Sequence, residues 1–204
     1  MRVVCLDLEG VLIPEVWINF AERTKIAELR LTTRDIPDYD VLMKKRLEIL
    51  DQHKLGLREI QEVIGGMEPM PGAKEFLDSL RATYQLIILS DTFYEFGAPF
   101  MKKLGLPTLF CHSLETDSAS GKITNYKLRQ KDQKRHAVAA LKSLNFQVVA
   151  AGDSYNDTSM LAEAHAGILF SAPPNVIAEF PQYPHVETYA ELRSHIDQAF
   201  ARIR

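Results

Sequence analysis

Cysteine is scarce: the 204 residues include only Cys5 and Cys111. Both lie in apolar, strand-like segments. A disulfide framework is therefore excluded, and both are expected to be reduced core thiols of an intracellular protein. No apolar run approaches the roughly 18 residues that a membrane span needs. The chain opens directly on a strand-like segment, so neither a membrane anchor nor a leader is expected and the expected location is cytoplasmic. Neither sign of charge is in large excess. With 24 Lys and Arg against 27 Asp and Glu, the net charge is −3 and the pI near 6.1, so nothing calls for a nucleic acid partner. The basic clusters at 44–46 and 127–135 are interleaved with acids or sit in helical patterns, and most of their residues read as solvated faces. The six histidines show no metal-ligand spacing. Repeats and low-complexity tracts are absent. The 46% of hydrophobic residues can bury a substantial core, and the length suits one α/β domain with an insertion or two small domains. Nothing in it fixes an oligomeric state.

The chain's most informative stretch runs from Arg2 to Val11. A short apolar, β-branched run ends in Asp7-Leu8-Glu9-Gly10. It is too short for a helix and reads as a buried strand. Ligands of open α/β sheets bind beyond the carboxyl ends of strands, which is where Asp7 and Glu9 fall. Two half-buried acids repel each other unless a cation joins them. On these residues alone two readings stand: a Mg²⁺ site with Asp7 as phosphoryl acceptor, or a polar strand end followed by a turn.

Beyond Pro14, which suits a helix's first turn, the pattern stays helical from Glu15 to about Met67. Trp17, Phe20 and Ala21 share one face; Leu42, Met43, Leu47, Ile49 and Leu50 a second; Leu57, Ile60, Val63 and Ile64 a third. Gly65-Gly66 and Pro69-Met70-Pro71-Gly72 then break it. The chain next alternates: helix 73–83, strand 85–90, helix 96–104, strand 108–111, a hairpin over 114–128 with its turn at 118–121, helix 133–144, strand 147–152, a helix, strand 166–170, and helix 189–203. This order predicts an α/β fold, a doubly wound and mostly parallel Rossmann-like sheet. Residues 1–13 plus 71–204 form its core domain, with 14–70 as a small helical cap inserted after the first strand.

Asp7-Leu8-Glu9-Gly10, Ser90, a lysine before the 133–144 helix, and Gly152-Asp153-Ser154-Tyr155-Asn156-Asp157 occur in the order of the four motifs of the haloacid dehalogenase (HAD) phosphatase superfamily. The chain resembles that superfamily over nearly its whole length. Pro14-Glu15, the 35–50 helix and Ser90-Asp91-Thr92-Phe93 are most similar to its phosphoserine phosphatase branch, and within that to the bifunctional type that also transfers phosphoryl groups to homoserine. The resemblance implies Mg²⁺ and a small phosphorylated amino acid as substrate. Asp7 is then the nucleophile that forms an aspartyl-phosphate, and Glu9 the general acid and base. The usual motif has aspartate at the second place, so Glu9 reaches one methylene further. Asp7, Asp153 and the main-chain carbonyl of Glu9 would hold the metal.

The remaining site residues carry two readings each. Ser90 donates its hydroxyl to a phosphate oxygen or is an N-cap, and Asp91 at the same strand end is expected to be a substrate-binding residue. The motif lysine is Lys131 or Lys134. A helix starting near 132–133, with Asp132 as N-cap, favours Lys134, in the first turn where a phosphate would offset its charge. Asn156 contacts phosphate or only turns the chain. Asp157 caps its helix or orients Lys134 or a metal-bound water. At about 100° per residue Arg46 falls within its helix's apolar arc, opposite Lys44, Lys45, Glu48 and Asp51. It either snorkels or grips the substrate carboxylate, the role the resemblance implies. Glu15 would hold the substrate ammonium, or is simply an acid favoured near a helix N-terminus. Hydrolysis of O-phospho-L-serine leads, followed by transfer to L-homoserine. The alternatives are a phosphatase for another small phosphomonoester and a non-enzymatic, receiver-like phosphoacceptor domain.

Overall fold

The computed structural model describes residues 1–32, 35–36 and 38–203. Its sheet has seven strands in the order β4-β3-β2-β1-β5-β6-β7. They are β1 (Arg2–Leu6), β2 (Gln85–Phe93), β3 (Thr108–Thr116), β4 (Ile123–Lys127), β5 (Gln147–Gly152), β6 (Ala166–Phe170) and β7 (His185–Val186). All neighbours pair in parallel except β3 with β4, the two arms of the hairpin. The α/β, doubly wound expectation holds.

β1 is apolar on both faces because both faces are covered. Alternation sends Val4 and Leu6 into one core cluster, with Phe20, Phe76, Phe96 and Phe200. Val3 and Cys5 point into the other, with Val138, Val148 and Met160. The helices that cover them are α4 (Ala73–Arg81), α5 (Tyr94–Lys103), α6 (Gln133–Ser143), α7 (Thr158–Glu163), α8 (Pro174–Glu179) and α9 (Tyr189–Arg202). Among the described residues no helix is long and apolar enough to cross a membrane.

The continuous helical pattern of 15–67 resolves into separate pieces. These are α1 (Val16–Thr24), a 3-10 turn (Ala27–Arg30), α2 (Tyr39–Gln52) and α3 (Leu57–Gly65). Lys25 and Lys54, at φ of 61° and 55°, mark two of the breaks. Pro14 precedes the first helix rather than opening it. The 35–50 helix includes residue 37, outside the described residues. Its regular part starts at Tyr39, where the Asp38 side chain accepts the N–H groups of Asp40 and Val41. These helices share the larger core cluster through Trp17, Phe20, Ile60 and Ile64. The hairpin turn also holds them. Gly121 O accepts the Leu57 N–H at 3.0 Å, and Lys122 pairs with Asp51 at 2.5 Å.

β2 outruns its apolar segment. It continues to Phe93, with its register against β3 shifting between Leu89 and Phe93, so Ser90, Asp91 and Thr92 occupy an irregular stretch. Ser90 therefore caps no helix: α5 begins at Tyr94, after Phe93. The expected strand 108–111 and the first hairpin arm are one strand.

Burial pushes the Cys5 thiol up to about 12, and burial followed by Glu95 does the same for Cys111. Raised values leave almost no thiolate at pH 8. Ellman's reagent should therefore label neither cysteine in the folded protein at that pH and both after denaturation. Stoichiometric labelling before unfolding would contradict the burial of these strands.

Candidate active site

β1 lies between β2 and β5, where the strand order reverses and the carboxyl ends leave a crevice. Leu6 pairs with Ile88 on one side and Ala151 on the other, so the residues just beyond these three strands reach the same edge. Asp7 continues this pairing, donating its N–H to Ala151 O at 2.9 Å. Gly10 (φ +80°) turns the chain back. A Cβ there would lie 2.5 Å from the Asp153 carboxyl carbon, so the glycine is required both by the turn and by the neighbouring acid.

Asp7, Asp153 and Asp157 are buried and offer oxygens within 4.8 Å of one another. Lys134, 2% exposed, enters from the first turn of α6 and donates to Asp7 Oδ1 at 2.8 Å and Asp157 Oδ1 at 2.7 Å. Burial alone would lower its pKa, but Asp157, Asp7 and Asp91 more than offset that and keep it protonated. Burial, then Asp157, raises the Asp7 carboxyl, with Lys134 opposing. Asp157 Oδ2 also accepts the N–H groups of Asp153 and Ser154 at 3.0 and 3.1 Å. It thus caps its turn and orients Lys134 together, and the two readings of this residue merge. Lys131 is exposed; Lys134 is the lysine brought to Asp7. Asp132 stands at the N-terminus of α6 but does not cap it with its side chain. Its φ is 50°, and its carboxylate binds Arg135 and Ser159 instead.

Asp91 sits beside this cluster. Its Oδ2 accepts Asn156 Nδ2 at 3.1 Å and lies 3.7 Å from Lys134 Nζ; its Oδ1 lies 3.3 Å from Gln133 Nε2 and 3.6 Å from His112 Nε2. Burial alone would raise its pKa, but Lys134, His112 and Asn156 together hold it well below the usual carboxylate range. Gln133 also donates to Ser90 O at 2.7 Å, and the Tyr39 hydroxyl to Asp91 O at 3.1 Å. Ser90 is buried at the same strand end, its Oγ accepting the Thr92 N–H at 3.3 Å.

The Glu9 carboxyl does not join the acidic cluster. It turns toward the inserted helices and accepts the Val16 N–H at 2.9 Å. Burial, then the adjacent Glu15, pushes it up to about 7, against the Val16 N–H and Thr92 hydroxyl bonds. Glu15 is the N-cap residue of α1, half-buried. Arg46 is buried rather than snorkelling. Its guanidinium lies 4.4 Å from the Trp17 ring and donates to Leu31 O at 2.8 Å, while its Nε has no hydrogen-bond partner among the described residues. Burial lowers its pKa to about 10, with Tyr39, Glu9 and Glu15 opposing, so it remains charged at neutral pH. The structure thus makes two groups: Asp7, Ser90, Asp91, Lys134, Asn156, Asp153 and Asp157 at the strand ends, and Glu9, Glu15 and Arg46 on the side of the inserted helices.

His112, Gln133, Tyr39 and Thr92 are site residues that sequence pattern did not single out. Gln133 adjoins Lys134, and His112 interrupts an apolar strand beside Cys111; those were the available signals.

Carboxylates and a lysine converging at the ends of parallel strands, with helices inserted after the first strand, define a hydrolase of the haloacid dehalogenase kind. The chain belongs to the haloacid dehalogenase-like hydrolases, whose family model matches residues 1–165. It is 62% identical over 202 residues, 99% of this chain and 98% of the relative, to phosphoserine phosphatase ThrH of Pseudomonas aeruginosa. It is 60% identical, covering 99% of this chain and 85% of the relative, to a phosphoserine phosphatase of Pseudomonas syringae pv. tomato. A solved structure of a substrate-bound phosphoserine phosphatase complex shares the fold, with a TM-score of 0.73 at 21% identity over 95% of this chain and 97% of that one. Membership among hydrolases sets aside the receiver-like reading.

Replacing Lys134 by Met removes the ammonium that lies among buried carboxylates. Metal-free, the variant should lose about 3–5 kcal/mol of stability by urea unfolding. Mg²⁺ should raise its Tm more than it raises the wild type's. An equal response would mean that the cation does not enter this cluster.

Proposed function

We propose that the chain is a Mg²⁺-dependent phosphatase that hydrolyses O-phospho-L-serine through a phosphoryl group carried on Asp7, and that it also transfers this group to L-homoserine. The observation that carries the reading is Asp7 held by Lys134 at 2.8 Å beside Asp153, in a chain 62% identical to a protein named phosphoserine phosphatase. The donor set supports Mg²⁺: it is all oxygen, buried and concentrated. Asp157 has its oxygens engaged by Lys134 and main-chain N–H groups, so Asp7, Asp153 and the Glu9 carbonyl would hold the ion. Bound there, Mg²⁺ supplies positive charge that offsets repulsion between a carboxylate and a phosphate dianion.

Asp7 attacks phosphorus while Glu9 gives its proton to the departing serine oxygen; Glu9 then takes a proton from the incoming water or alcohol. Lys134, Ser90 and Asn156 hold phosphate oxygens. Residues 14–70 act as the cap domain, excluding bulk water while the phosphoryl group is on Asp7. Arg46 grips the substrate carboxylate and Glu15 its ammonium. The buried Nε of Arg46, without a hydrogen-bond partner among the described residues, supports this, because an incoming carboxylate would satisfy it. Water and homoserine compete for the same intermediate, so the space beneath the cap sets the ratio.

Phosphate release from a panel of phosphomonoesters should be fastest with phosphoserine, cease in EDTA, and fall to background in Asp7→Asn. Faster turnover of sugar phosphates would reject the substrate. Arg46→Ala should lower kcat/KM for phosphoserine about 30- to 150-fold, the loss of a charge-assisted pair of ~2–3 kcal/mol. With homoserine added, phosphohomoserine should accumulate; its absence would remove the transferase arm and leave the hydrolase intact.

A further inference from the structure

A site that must hold a phosphate dianion gains nothing obvious from another ionised carboxylate in its wall. Asp91 is such a carboxylate, with its side chain 32% exposed to the crevice. Lys134 and Asn156, the phosphate donors of the proposed reaction, both face it. Asn156 donates to Asp91 Oδ2 at 3.1 Å, and the Lys134 ammonium is 3.7 Å from the same oxygen. The second distance is an ion-pair contact, too long for a hydrogen bond. Lys134 has three N–H groups, and Asp7 and Asp157 take two. Among the described residues, this distant Asp91 oxygen is the further acceptor offered to the third.

The other Asp91 oxygen is held more loosely than the one bonded to Asn156. Gln133 Nε2 is 3.3 Å away and His112 Nε2 3.6 Å. His112 is buried, and its Nδ1 accepts the Arg129 N–H at 3.1 Å, so its Nε2 carries the hydrogen, aimed at Asp91. Arg129 also donates to Gln133 Oε1, which turns the Gln133 amide nitrogen toward Asp91. The carboxylate therefore lies between two sets of donors, bonded to Asn156 at an ordinary distance but stretched to Lys134, Gln133 and His112. The main chain beneath it is fixed, because Ser90 O and Asp91 O accept from Gln133 and Tyr39. The side chain, not the main chain, is the part left to turn between the two sets of donors.

We propose that the Asp91 carboxylate is an internal stand-in for phosphate: it occupies Lys134 and Asn156 in the resting site, yields to an arriving phosphoryl group by moving toward His112 and Gln133, and by returning speeds the release of inorganic phosphate. This rests on the phosphoryl-transfer reading and adds the regulation of product affinity to it. Asp91 is here a positioning residue that competes with the ligand, and like-charge repulsion gives the competition its sign.

Calorimetric titration of inorganic phosphate, with saturating Mg²⁺, into the wild type and the Asp91→Ala variant tests it. The variant should bind phosphate about tenfold more tightly, and phosphate should inhibit its turnover at correspondingly lower concentration. Structural damage weakens binding, so a gain in affinity separates the proposal from a merely supporting role. Unchanged or weaker binding by the variant overturns it. Should Asp91→Ala fail to fold, Asp91→Asn keeps the shape, removes the charge and is read in the same way. Wild-type turnover of phosphoserine judges the phosphatase reading separately, since the titration requires no reaction.

Discussion

One ammonium among three carboxylates is the constraint on which the rest depends. Lys134 is buried with Asp7 and Asp157 in hydrogen-bonding contact and Asp91 within ion-pair range. Charges removed from water in this way are costly unless each is matched. Burial first, and then the carboxylates of Asp157 and Asp153, raise the Asp7 carboxyl even with Lys134 in place. A divalent cation is the natural complement, and a phosphate becomes tolerable only after the balance has shifted toward positive.

The sheet exists in this order to make that cluster possible. β1 between β2 and β5 puts Asp7 at the centre, Asp153 one strand away on one side, and Ser90 and Asp91 one strand away on the other. The bulge in β2 lets three polar residues crowd the edge without breaking the pairing of Phe93 with His112. α6 then delivers Lys134 from its first turn. A lysine at a helix N-terminus is disfavoured by the macrodipole, and here the carboxylates around it reverse that.

Much of this could be read from the chain alone, for physical reasons. Polar residues ending apolar strands have few structural uses, so Asp7, Asp91 and Asp153 stood out. The helical phase of Ala137, Val138 and Leu141 selected Lys134 over Lys131, and that of α2 placed Arg46 inward. The errors came where local pattern yields to tertiary contact. β2 and β3 outrun their apolar segments because each pairs with a neighbour remote in sequence. Asp132 looked like a cap but is drawn to Arg135 and Ser159. His112, Gln133 and Tyr39 acquire their importance only by meeting Asp91 across distances of chain that no periodicity spans. Glu9 is only two residues from Asp7, but its side chain turns toward Val16 and lies beside Glu15, a separation that spacing in the chain does not show.

Trp17 is the chain's sole tryptophan and lies beneath the Arg46 guanidinium. Indole emission is sensitive to a cation resting on the ring, so the protein carries one native fluorophore at the spot where the inserted helices meet the crevice. Any rearrangement of that arginine changes the optical signal of an unlabelled molecule, so a displacement there can be followed in real time without attaching a dye.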